Sequence, residues 1–140
     1  MADKKVILHD AAGNHLNPAT IAEQVSNMAD YIVEQGTSGD WTYRKWSSGF
    51  AECWGKVAKT ATNYQTVNSF YAYNLLVTFP TGLFNAAPFV IFSAHAQSSA
   101  HTIADTQLNG TSTQINLYAL LNVSGSQTID LLVHAYGKWQ

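Results

Sequence analysis

The chain has 140 residues, of which 46% are hydrophobic and 11% charged, with a formal net charge of −2 and a pI near 6.1. This length suits one domain with a short appendage, and the apolar fraction is sufficient for a core. The weak negative charge disfavours a nucleic-acid-binding protein, because no basic patch is available to release counterions from a phosphate backbone.

The N-terminal segment predicts neither secretion nor membrane insertion. Residues 1–10 contain no apolar run long enough for a signal peptide. No stretch approaches the roughly 20 apolar residues of a membrane span. We therefore expect synthesis in a cytoplasm and, if the protein works outside the cell, release by lysis or as part of a larger particle.

The first predicted elements are a short N-terminal strand, Val6–Leu8, and one α-helix. Asn17 suits the N-cap and Pro18 the first helical position, so the helix should run from Pro18 to Gln35. A helix this short needs a partner for its apolar stripe. The stripe fits either a face packed on its own domain or the parallel neck of a homotrimer, and its residues are Ile21, Val25, Met28 and Ile32.

Residues 41–54 form the most informative segment and predict a β-hairpin. Ser47–Gly49 is a three-residue turn in which Gly49 occupies the position that needs a positive φ. This turn sets Arg44 opposite Glu52. Alternation then gives the hairpin two aromatic faces, one with Trp41, Tyr43, Ala51 and Cys53, the other with Arg44, Trp46, Phe50, Glu52 and Trp54. A single sandwich needs one apolar face, so the second should meet another subunit, the preceding helix or a ligand.

The rest of the chain predicts strands at a spacing typical of an antiparallel β-sandwich with a jelly-roll-like arrangement. We place the domain boundary at the Gly-containing segment 37–40, with an N-terminal strand and helical neck in 1–38 and a sandwich head in 39–140. The predicted strands of the head are Phe70–Phe79, Phe89–Gln97, Ile103–Leu108, Gln114–Leu121 and Thr128–Trp139.

Few residues suggest catalysis, a metal or a cofactor, and we expect none of the three. Between Thr60 and Gly137 the only charged side chains are Asp105 and Asp130, and a glycosidase needs two facing carboxylates. The five histidines show no metal-binding spacing. Cys53 is the only cysteine, so it cannot form an intrachain disulfide. A neutral surface rich in hydroxyls and amides is instead typical of extracellular adhesion domains and viral fibres.

Binding is the alternative to catalysis, and the second hairpin face carries the candidates. Sugar C–H faces lie on aromatic rings while their hydroxyls bond to fixed polar groups. The candidate ligand-binding residues are Trp46, Arg44, Glu52 and Trp54. The alternative is that this face is buried between subunits or under the helix. The candidate oligomer-interface residues are accordingly Phe50 with Ile21, Val25, Met28 and Ile32.

Two stretches resemble a known family. The segment Trp41-Thr-Tyr-Arg-Lys-Trp46-Ser-Ser-Gly49-Phe-Ala-Glu-Cys-Trp54-Gly55 is similar to one that is common in tail-fibre-like and minor structural proteins of tailed phages and prophages of Gram-positive bacteria. The stretch Leu8–Thr20 resembles the one that precedes the neck of such proteins. The resemblance implies a homotrimeric virion protein with other virion proteins as partners. Compared with such proteins, the chain lacks a long shaft and an evident attachment domain.

The leading functional hypothesis is therefore a trimeric fibre-tip or receptor-binding domain of a virion that recognises host-surface carbohydrate. A purely architectural particle protein without a ligand site is the main alternative. A glycosidase-type accessory domain of cell-wall enzymes is a weaker one, and it requires two facing carboxylates in a groove.

Overall fold

The computed structural model describes residues 12, 30–98 and 110–140, together with the backbone of 102–106. The chain divides into two compact units, Met1–Tyr31 and Ile32–Gln140. In the first unit only Ala12, Asp30 and Tyr31 are described, so the architecture below is that of the second unit. The predicted strand Val6–Leu8 and most of the predicted helix lie outside the described residues.

Antiparallel strands in two sheets make up the second unit. The five-stranded sheet has the order β1-β2-β3-β9-β6 and is called the hairpin sheet, whereas the four-stranded second sheet has the order β4-β5-β8-β7. The strands are β1 Ile32–Ser38, β2 Trp41–Trp46, β3 Phe50–Ala61, β4 Tyr64–Val67, β5 Phe70–Thr78, β6 Phe89–Ala96, β7 Thr102–Thr106, β8 Gln114–Leu121 and β9 Gln127–Lys138.

The hairpin prediction is confirmed in its turn and its register. Arg44 lies opposite Glu52, and Thr42 lies opposite Trp54. Gly49 has a φ of 85°, and its N–H donates to the Trp46 carbonyl at 3.1 Å. A residue with a Cβ is strained at such a φ, which explains why glycine occupies this position.

The later strands match their predicted positions closely, and the mainly β expectation is confirmed. The structure has β5, β6, β8 and β9 within one residue of the predicted ends. Every second residue of β9 faces inward as expected, and Ile129, Leu131, Val133 and Ala135 are at most 3% exposed. The short strand β4, all four residues of which are exposed, was not predicted.

The prediction of one α-helix is wrong, because the described part of the chain contains strands and no helix. Ile32, assigned to the helical stripe, is the first residue of β1 and lies opposite Trp46. Cross-strand contacts with β2 outweigh the weak helical pattern in this segment: Tyr43 Oη donates to Glu34 Oε1 at 2.9 Å. Gly36, the residue directly after the predicted helix, is a strand residue packed against the Tyr43 ring, where a Cβ would lie 3.1 Å from Oη.

One apolar core joins the two sheets. It takes inward-facing side chains from both, including Leu75 and Leu117 of the second sheet and Leu131 of the hairpin sheet. Two polar contacts fix the sheets and loops around it. Trp41 Nε1 of β2 donates to the carbonyl of Thr78, at the end of β5, at 3.0 Å. Tyr73, fully buried, directs its hydroxyl at the carbonyls of the loop between β8 and β9, with Gly125 O at 2.8 Å.

Cys53 gives a direct measure of how firmly this core is closed. Its side chain is 0% exposed, and burial, with a smaller effect of the Glu52 carboxylate, raises the pKa of its thiol to about 12. Since the thiolate is the reactive form, we expect iodoacetamide to alkylate the native protein at neutral pH at least ~10³-fold more slowly than the urea-unfolded chain. Equal rates in the two states would contradict a closed core at β3. Mass spectrometry gives both rates, since the chain has a single cysteine.

Candidate functional site

The side of the hairpin sheet that is turned away from the core, called the outer face, gathers residues from distant parts of the chain. Strand pairing sets Trp54 of β3 beside His134 of β9, and His134 beside Ile91 of β6. The neighbouring row runs from Glu52 through Tyr136 to Phe89 in the same way. Because side chains alternate along each strand, all of them lie on the same side of the sheet.

A polar cluster occupies the centre of the outer face. Glu52 accepts from His134, whose Nε2 lies 2.7 Å from Oε2. Arg44 Nη1 approaches the other carboxylate oxygen, Oε1, at 3.8 Å. The guanidinium carbon of Arg44 lies 4.8 Å from the centre of the Trp54 ring, while His134 meets that ring edge-on at 6.3 Å. The Glu52 carboxylate is thus held by one hydrogen bond from His134 and by a looser ion pair with Arg44.

Apolar side chains surround this cluster. Phe50 stacks on Tyr136 with their ring centres 5.1 Å apart and the planes 5° from parallel. On the other side of Trp54, an open groove of about 520 Å³ includes Ile91 and Leu132 in its lining. Phe89, Ile91, Leu132 and Tyr136 are 70, 62, 58 and 45% exposed. Soluble domains rarely expose so many large apolar side chains together in water. Their exposure indicates that the outer face is an interaction surface.

An ion pair borders the groove at one end. Lys56 Nζ lies 2.7 Å from Asp130 Oδ2, and Gln97 Nε2 donates to the other carboxylate oxygen at 2.9 Å. The hydrogen bond from Lys56, followed by that from Gln97, lowers the pKa of Asp130. The carboxylate therefore already has its partners.

Three of the four predicted ligand-binding residues come together on the outer face: Arg44, Glu52 and Trp54. Trp46 lies near the turn, where its carbonyl also accepts from Trp139 Nε1 at 3.0 Å. Of the predicted interface residues, Phe50 is in contact with Tyr136 and Ile32 is 42% exposed in β1. The other three, Ile21, Val25 and Met28, lie outside the described residues. No finding tests the roles assigned to any of these residues, which stay predictions.

The contributions of β6 and β9 to this face were not predicted from the sequence. Alternation along β9 separates His134 and Tyr136 from the inward side chains. The missing information was which strand lies next to β9, since Glu52 and His134 are 82 residues apart. In the described ranges, no group of three or more His, Cys, Asp or Glu residues could hold a metal ion. No helix in those ranges is long and apolar enough to cross a membrane.

Comparison with known proteins gives a likeness of fold alone. No protein-family model matches the chain, and no curated protein matches it either. The chain resembles a solved structure of a P. aeruginosa R1 pyocin fibre comprising C-terminal residues 323–701, with a TM-score of 0.60 and 14% identity. The match covers 96% of this chain and 35% of the pyocin fragment, so the chain spans about a third of that structure.

Proposed function

We propose that this chain is a structural protein of a phage or prophage virion, namely a fibre-tip or receptor-binding domain that forms a homotrimer and binds host-surface carbohydrate. The observation that carries the proposal is the outer face of the hairpin sheet, where Phe89, Ile91 and Leu132 are each more than half exposed. A face of this kind is suited to contact between subunits. The likeness of the fold to part of a pyocin fibre supports the assignment to fibres.

Contact between copies of the chain accounts for the outer face better than a bound sugar does. The carboxylate of Glu52 already accepts from His134 and faces the Arg44 guanidinium. A protein surface that covers this cluster therefore has to supply acceptors only for the remaining N–H groups of Arg44 and His134. Beside its aromatic rings, the face also exposes Ile91 and Leu132. These aliphatic side chains offer a sugar no flat ring but suit a contact between subunits. We therefore assign the outer face to assembly.

Sedimentation tests this assignment. We expect a species of three times the 15.3 kDa chain mass at micromolar concentration. Trp54→Ala should weaken association roughly 30-fold, because a partly buried indole at the centre of an interface contributes about 2 kcal/mol or more. Trp46→Ala, at the end of β2 near the turn, should weaken it less. A monomer at all accessible concentrations would contradict the assembly.

Sugar binding at Trp54 is the second candidate, and the indole in an open groove next to the polar groups of Glu52 and His134 favours it. Trp54→Ala separates sugar binding from subunit contact when both its glycan binding and the mass of its assembly are measured. If Trp54→Ala abolishes glycan binding while the trimer persists, the indole belongs to a ligand site. Loss of the trimer instead assigns it to the subunit contact.

A further inference from the structure

A small cavity on the other side of the molecule offers a better place for a sugar than the outer face of the hairpin sheet. It lies on the second sheet where β4, β5 and β8 run side by side, and has a volume of about 170 Å³. Gln65 of β4 stands opposite Ala72 of β5, and Asn74 of β5 stands opposite Tyr118 of β8. Its lining consists of Asn63, Tyr64, Gln65, Ala72, Asn74 and Tyr118.

The cavity exists because a small residue occupies the middle of β5. Ala72 alternates with the buried Tyr73 and so belongs to the solvent side of the second sheet, yet it is only 7% exposed. Its larger neighbours in the register, Gln65 and Leu120, flank it on the two adjacent strands. A methyl group at the base, surrounded by longer side chains, leaves a recess at this point of the sheet.

The polar groups around the recess are available to a ligand. The carboxamides of Asn63, Gln65 and Asn74 make no hydrogen bond to any residue in the described part of the chain, and all three are exposed. Each carboxamide has an oxygen that accepts and an NH₂ group that donates. Together with the Tyr118 ring, they provide what neighbouring sugar hydroxyls and a sugar C–H face require. In contrast, the carboxylate next to Trp54, that of Glu52, already accepts from His134.

Charge selects the class of sugar. The six lining residues have no side chain that is charged at neutral pH. An anionic ligand would therefore find no cationic side chain to pair with in this lining. The volume is also well below the ~300–1,000 Å³ of sites that hold a whole drug-sized molecule, so the recess suits a single sugar unit.

From these observations we infer that the cavity between β4, β5 and β8 binds one neutral sugar residue of a host-surface glycan. Asn63, Gln65 and Asn74 bond to its hydroxyls and Tyr118 packs against its ring. The biological source of this ligand rests on the proposed receptor-binding function. The site itself does not depend on trimer formation, because the lining residues all come from one chain.

Side-chain amide NMR of the full chain tests the inference directly. Glucose, galactose and N-acetylglucosamine are titrated separately, with N-acetylneuraminate as the anionic comparison. We expect at least one neutral sugar to shift the NH₂ signals of Asn63, Gln65 and Asn74, and the anionic sugar to shift none. Gln65→Ala and Asn74→Ala should each weaken binding about tenfold, which corresponds to one lost hydrogen bond.

Asn116→Ala is the matched control, because Asn116 is on the same side of β8 but stands opposite Leu76 and outside the cavity lining. It should bind sugar like the unchanged protein. Shifts at Trp54 and His134 in place of the carboxamides would overturn the inference, as would no shift with any neutral sugar or equal binding of N-acetylneuraminate. The oligomeric state, measured on the same samples, reports separately on the proposed fibre assembly.

Discussion

Replacing Gly55 with alanine is expected to destabilise the fold by about 3 kcal/mol, a large share of the ~5–15 kcal/mol typical of a domain. Gly55 lies opposite Trp41 at the end of the β2–β3 pair. A Cβ at this position would overlap the backbone carbonyl oxygen of Asp40. Relief requires movement of the main chain beside Trp41, whose indole links β2 to Thr78. Urea unfolding followed by tryptophan fluorescence measures the loss.

Gly82→Ala provides the control for this substitution. Gly82 has a φ of 70°, but a Cβ there meets nothing within 4 Å, so alanine should cost only the ~1–2 kcal/mol of a left-handed backbone. Gly55 is not among the glycines with a positive φ, so its cost comes from the steric overlap alone. If Gly55→Ala unfolded at a urea concentration equal to or higher than that for Gly82→Ala, the described approach of Asp40 to β3 would be wrong.

Local sequence signals were sufficient to predict the hairpin, and with it every member of the polar cluster except His134. The position of Gly49 sets the turn, and the turn sets the register that brings Arg44 to Glu52. All of this information is contained within a few residues of the turn. For the same reason the strands β5, β8 and β9, with clear alternation and turn residues at their ends, were placed correctly.

Non-local pairing explains what could not be predicted from the sequence. Ile32 stands at the end of an apolar spacing that fits a helix, so residues 32–35 were assigned to one. Their pairing with β2, which the local sequence does not show, makes them a strand. Tyr64–Val67 shows no alternation because every residue is exposed, so β4 is recognisable only from its pairing with β5. Alternation alone assigns His134 to the outward side of β9. Its contact with Glu52 could not be predicted, because that contact requires β3 and β9 to be adjacent.

On the outer face, Leu132→Asp is expected to disrupt assembly more strongly than Trp54→Ala does. Leu132 lies at the middle of β9 between Lys56 and Ser93, and it is 58% exposed in the single chain. In the monomer an aspartate there stays hydrated, but Lys56 opposite it already pairs with Asp130, so we expect only the ~1 kcal/mol cost of a residue that is unfavourable in strands. In a subunit contact the same carboxylate loses water, which should raise the dissociation constant at least ~10³-fold.

Leu76→Asp is the matched substitution on the opposite side of the molecule. Leu76 also lies in a central strand, β5, with an exposure of 45%, so both variants introduce a charge at a similar strand position. We expect Leu76→Asp to sediment as the unchanged trimer and Leu132→Asp to sediment as a monomer with unchanged circular dichroism. If Leu76→Asp dissociates and Leu132→Asp does not, the subunits meet through the second sheet. The proposed sugar cavity would then lie at the interface, and both assignments would have to be exchanged.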